Sequence, residues 1–145
     1  SIYLTNNPID NVPILNNLYY LNVSSTNIKE IYQMKRLKTL ECSKTHITKI
    51  PGINTLECLI CNSSKVNDIS ELRSLQSLEM VNTPIPRVHY MKQLDAITYH
   101  HDSNVEISKQ YVIKYVRKNR NNIIELKMIH RSGSESTSVP IPKRD

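Results

Sequence analysis

The sequence predicts a β-rich solenoid of the α/β repeat class, a coil of short turns closed at its carboxyl end by one helix. Three observations predict it. Apolar residues return at a period of nineteen, with no insertion or deletion between Leu18 and Leu94. Within each period two apolar positions alternate with polar neighbours, as a half-buried strand does. Past residue 105 the period dissolves, and apolar residues recur at helical spacing instead.

Leu18, Leu37, Leu56, Leu75 and Leu94 set the frame as slot 1. Slot 4 is then Leu21, Leu40, Leu59, Leu78 and Ile97, and slot 6 is Val23, Cys42, Cys61, Met80 and Tyr99. Slots 11, 14 and 17 carry Ile28, Ile47, Val66, Ile85; Ile31, Ile50, Ile69, Val88; and Met34, Ile53, Leu72, Met91. Counted backwards, Ile2, Leu4, Ile9, Val12 and Leu15 occupy the same slots. Slots 4 and 6 form a strand, and the return path is too short for a real helix, so extended or single-turn 3-10 structure is expected there. One turn buries too little apolar surface to offset the entropy of ordering it, so the turns must stack.

The motif Leu-x-x-Leu-x-(Val/Cys)-x-x-Thr-x-Ile resembles the leucine-rich repeat, with a period one residue below the usual range. The short repeat, the cysteine at slot 6 and the Asn-, Ile- and Lys-rich composition are similar to repeat proteins of large DNA viruses and some bacteria. The resemblance covers residues 2–103. It implies a right-handed coil with a parallel concave sheet, and binding of a protein partner by that sheet and its rim. In the family, slot 9 usually holds an asparagine that bonds to neighbouring turns. Here it holds Asn7, Thr26, Thr45, Ser64, Thr83 and Asp102, mostly hydroxyls that can donate and accept at the bend after each strand.

Three regions follow: a solenoid over 1–105 of about five to six turns, the first and last incomplete; a cap over 106–130; and a flexible tail over 131–145, rich in Ser and Pro. In the cap, Ile107, Tyr111, Val112, Tyr115 and Val116 suggest a helix over 108–118, with acidic residues before it and basic residues after it. Ile124, Leu126 and Met128 alternate with Glu125 and Lys127, which suggests a short strand over 123–129 without an identified partner. The amino-terminal edge has no cap of its own and is expected to be covered by further repeats, a partner or a second copy.

Mean hydropathy is −0.43, with no apolar run of membrane-spanning length and no leader-like segment at Ser1. Gly52 and Gly133 are the only glycines, and neither sits in a phosphate-cradling loop. Cys58 and Cys61 lie three apart on a strand and so point to opposite faces. They cannot share a metal ion, and Cys42 and Cys61 are expected to stack as small core residues. An odd cysteine count without a disulfide framework points to a reducing compartment, the cytoplasm, and the resemblance to viral repeat proteins makes a virion the alternative.

Residues 1–105 hold ten basic and nine acidic side chains, whereas 106–145 hold nine and four, so the cap and tail carry +5 of the net +6. Lys109, Lys114, Arg117, Lys118 and Arg120 form a basic cap that could meet an anion or nucleic acid, though a solvated helix face accounts for them as well. His100, His101 and Asp102 form the densest titratable cluster, better read as loop residues than as a metal or acid–base site. Asn22-Val-Ser and Asn62-Ser-Ser match the glycosylation sequon, a weak signal.

No nucleophile motif is present. The expectation is therefore a non-enzymatic protein-interaction module, without metal or cofactor. It would bind through Tyr20, Asn22, Glu41, Lys44, Cys58, Ile60, Asn62, Glu79, Val81, Thr98 and His100 on the concave face. Within that face Cys58, Ile60 and Val81 make a modest apolar island. The alternative is a structural component of a larger assembly such as a virion, with the amino-terminal edge and basic cap buried by neighbours.

Overall fold

A computed structural model describes residues 1–129. It contains ten strands: β1 (Ile2–Tyr3), β2 (Tyr20–Asn22), β3 (Thr39–Glu41), β4 (Cys58–Ile60), β5 (Ser77–Glu79), β6 (Arg87–Val88), β7 (Ala96–His100), β8 (Glu106–Ile107), β9 (Val112–Lys118) and β10 (Ile123–Ile129). The chain is a β-solenoid of about six turns with nineteen-residue spacing. β1, β2, β3, β4, β5 and β7 run parallel and in register, so that Leu21, Leu40, Leu59, Leu78 and Ile97 are direct neighbours along one rung. Each of the five is at most 1% exposed. The strands are short because only three residues per turn are extended before the chain must bend back.

The return path carries no helix among the described residues. It is extended, with a bridge between Lys49 and Asp68 and a small parallel pair, β6 with β8. Slots 11, 14 and 17 point inward from it and meet the rungs of slots 4 and 6 in one continuous core. Slot 13 runs Glu30, Lys49, Asp68, Arg87, Glu106, alternating in sign from turn to turn. Arg87 meets Glu106 at 3.2 Å, and Lys49 reaches Glu71 at 2.7 Å. Exposed pairs like these add little stability. A slip of one turn would bring like charges together, so they favour the observed stacking.

Two features of the bend after each strand recur with the period. The slot-9 hydroxyls of Thr26, Thr45, Ser64 and Thr83 donate to the slot-6 carbonyls of Val23, Cys42, Cys61 and Met80 at 2.6, 2.7, 2.7 and 2.8 Å. The bonds close within each turn rather than between turns, because a hydroxyl is too short to reach the neighbouring backbone as an asparagine could. Slot 8 lies in the left-handed region: φ is 62° at Asn6, 56° at Ser25, 54° at Lys44, 53° at Ser63 and 54° at Asn82. A side chain there costs roughly 1–2 kcal/mol. Lys44→Gly is therefore expected to raise the unfolding free energy by about 1 kcal/mol, after glycine's own entropic penalty. Urea denaturation measures this, and an unchanged or lower midpoint contradicts it.

The carboxyl end corrects the expected class and cap. No helix forms over 108–118; β9 occupies most of that segment and is antiparallel to β10, which is antiparallel to β7. The solenoid is closed by a β-hairpin, and the α/β assignment gives way to an all-β one over the described residues. The helical spacing arose from a bulge. Tyr115 faces Lys127 but Ile113 faces Met128, so Lys114 is an extra residue that breaks the period-two pattern. Three β-branched residues and a tyrosine in Val112–Val116 favour a strand as well.

The periodic frame also runs past residue 105. Ile107 pairs in register with Val88, nineteen residues earlier, while Val105 is buried in place of its exposed neighbour Asn104. Tyr111 ties the start of the hairpin to the preceding turn: its hydroxyl donates to the His89 carbonyl and accepts from the Met91 N–H, both at 2.8 Å. The tail over 131–145 lies outside the described residues.

Candidate functional site

In every short strand the middle residue is buried and its two neighbours are half-buried on the opposite, outward face. This is the face the sequence marks as concave. Register sets two rows across it: Tyr20, Thr39, Cys58, Ser77, Ala96, and Asn22, Glu41, Ile60, Glu79, Thr98. Tyr3 extends the second row, since it pairs with Asn22. The hairpin extends both rows at the other end. Lys127 lies opposite Ala96, Glu125 opposite Thr98, Tyr115 opposite Lys127 and Arg117 opposite Glu125.

Five polar side chains of this face, Tyr20, Asn22, Glu41, Asn62 and Glu79, are engaged with one another in two groups. The Tyr20 hydroxyl donates to Glu41 Oε1 at 2.6 Å, and Asn22 Nδ2 donates to Glu41 Oε2 at 3.1 Å. Asn22 Oδ1 accepts the Ser24 N–H at 3.0 Å. Glu41, by accepting the hydrogen bond of the protonated phenol, pushes the Tyr20 pKa up to about 12. The arrangement recurs two turns on, where Asn62 donates to Glu79 Oε2 at 3.1 Å and its Oδ1 accepts the Val81 N–H at 2.8 Å. Tyr3 lies over Tyr20 with ring centroids 4.9 Å apart. Asn22 is held between its own turn and the next, whereas Asn62 bonds twice to the next turn; either arrangement fixes the amide's rotamer. The two sequon asparagines, Asn22 and Asn62, both have their Nδ2 engaged in these bonds.

Cys58, Ile60 and Val81 are half-buried on the same face, and Thr98 sits beyond them. Lys44 is exposed at its left-handed corner. His100 Nδ1 accepts the Asp102 N–H at 3.2 Å and lies 3.7 Å from Asp102 Oδ2, whereas the backbone of His101 bonds to Asn122. Among the described residues no three of His, Cys, Asp and Glu gather as a metal-holding group. Shallow hollows of about 280 and 360 Å³ lie on the return side instead, one beside Lys29, Tyr32 and Lys49, the other beside Asp68, Arg73, Arg87 and His89.

The basic cap residues do not share one helix face, as the sequence suggested. Lys109 lies in the turn before β9, Lys114 at the bulge, Arg117 on the outward sheet face, Lys118 at the strand end opposite Ile124, and Arg120 in the hairpin loop. Sequence reasoning missed Tyr3, Tyr115, Ile123, Glu125 and Lys127 as members of the outward face. The missed signal was the run Asn119-Arg-Asn-Asn between two alternating segments, a hairpin turn in which Asn122 takes φ 59°.

The cysteines fall on the two faces as their spacing requires. Cys42 and Cys61 are fully buried, and Cys58 is half-buried. Burial pushes the Cys61 thiol from 9.0 up to about 12, offset in part by the Ser64 hydroxyl, and burial raises Cys42 as well. A raised thiol contributes stability below its unfolded pKa and loses it as pH rises, because the unfolded chain ionises first. Cys61 is thus expected to lower stability progressively as pH rises from 9.0 to about 12. The slope should shrink in Cys61→Ala. Equal slopes in the two proteins, by urea denaturation across this range, contradict the assignment.

No protein-family model, curated protein or solved structure matches the chain.

Proposed function

We propose that the chain is a non-enzymatic interaction module of the leucine-rich-repeat type, which holds a protein partner against the outward face of its sheet. The observation that carries this reading is the cross-turn network of Tyr20, Asn22 and Glu41, repeated at Asn62 and Glu79. Side chains held in place before binding lose little entropy on contact, which removes one of the costs of forming an interface. Cys58 and Ile60 stand between the strands of Glu41 and Glu79, and with Val81 they supply an apolar centre, the usual place for the strongest contacts. No cofactor is invoked.

The test is affinity capture with the full chain as bait, beside a variant carrying Ile60→Arg and Val81→Arg. A partner retained by the native chain and lost by the equally stable variant supports the proposal. A partner held equally by both contradicts it.

A second reading, a structural component of an assembly such as a virion, draws on the first turn. Ile2, Leu4, Ile9 and Leu15 occupy core slots yet are only partly buried, whereas the same slots are buried in turns two to four. Nucleic-acid binding draws less support, because the basic side chains are spread over a turn, a strand and a loop.

A further inference from the structure

We propose that β9 is a docking edge for an acidic, extended polypeptide segment, which joins the sheet as an added strand. The eight-stranded sheet ends at β9, whose one strand neighbour among the described residues is β10. β9 runs for seven residues, against two in β1 at the opposite edge. Asn119 N–H donates to the Ile123 carbonyl at 3.0 Å. Antiparallel alternation then turns the backbone groups of Arg117 and Tyr115 toward β10 and those of Val116 away from it. The neighbouring ladder agrees, since the Asn122 carbonyl and the Met128 N–H both bond toward the β7 side, to His101 and Asp95.

Charge selects the occupant. Residues 109–122 hold five basic side chains and no acidic one. Two copies of β9 laid edge to edge would oppose these charges, which is destabilising, and the Lys114 bulge further twists the strand away from self-pairing. An acidic segment meets the same charges favourably. Nucleic acid shares the negative charge but offers no amide ladder, so the strand edge favours a polypeptide. The added strand would place alternate side chains beside Tyr115 and Arg117 and the others beside Val116, which suits glutamate or aspartate alternating with β-branched residues. The proposal is independent of the reading of the sheet face.

The experiment titrates the full chain with a fluorescein-labelled ten-residue peptide of alternating glutamate and valine, at low salt, following anisotropy. Two further peptides carry N-methyl groups on one or the other alternate set of amides. Binding should fall by about tenfold or more with one N-methylated set and little with the other, because only one set faces β9. It should also weaken in a chain carrying Lys114→Glu and Arg117→Glu, and amide exchange at Val116 should slow when the peptide is bound. The proposal is overturned if both N-methylated peptides bind as well as the parent, if a short oligothymidylate binds better than the peptide, or if the chain self-associates and takes up no peptide.

Discussion

Leu59→Ala is expected to cost about 3–5 kcal/mol of unfolding free energy. Leu59 has no exposed surface and sits on the central rung, in register with Leu40 on one side and Leu78 on the other. Truncation removes its own burial and leaves a cavity that neither neighbour can fill, because both are held in their strands. Truncation in the same slot of the first turn, Ile2→Ala, is expected to cost about 1 kcal/mol, since Ile2 is only partly buried. Against a total of about 5–15 kcal/mol for a domain, the first substitution threatens the fold and the second does not. Urea denaturation of both variants measures the difference. Equal costs would mean that the rung is not a stacked unit.

Leu126→Asp is expected to abolish cooperative folding at 25 °C, a loss of about 5 kcal/mol or more. Leu126 is 2% exposed and lies between Ile97 on β7 and Val116 on β9. A carboxylate there meets apolar neighbours on both sides. The hairpin would detach, uncovering the last rung of the solenoid. The adjacent change Lys127→Asp, on the outward face of the same strand, should shift stability by about 0.5 kcal/mol or less. Far-UV circular dichroism and thermal melts separate the two outcomes. A native spectrum with a sharp melt for Leu126→Asp would show that β10 does not cap the array.

The solenoid was legible because its signal is redundant. Leu18, Leu37, Leu56, Leu75 and Leu94 agree with five other slots, so no single exception can shift the frame. The cap was not legible for the opposite reason. It occurs once, and one bulged residue, Lys114, converted a strand's alternation into spacings of three and four that imitate a helix. Ile107 enters that helical spacing although it stands in frame with Val88. The outward face was legible over the parallel strands, where slots 3 and 5 are set by the period, and was truncated where the hairpin continues it. The left-handed corners at slot 8 were hidden because serine, lysine and asparagine stand where glycine would have announced them. The direction of the slot-9 bonds depends on side-chain length, which a pattern of polar residues does not convey.

Amide hydrogen exchange, resolved residue by residue in the native chain, tests the stacked architecture most directly. The N–H groups of Val23, Cys42, Cys61 and Met80 each donate to the carbonyl of the following turn, at 2.8 or 2.9 Å. Slow exchange at these four, recurring every nineteen residues, with alternate slow and fast amides along β9, is the predicted result. Fast exchange at all four, or unbroken protection along 108–118, would contradict it.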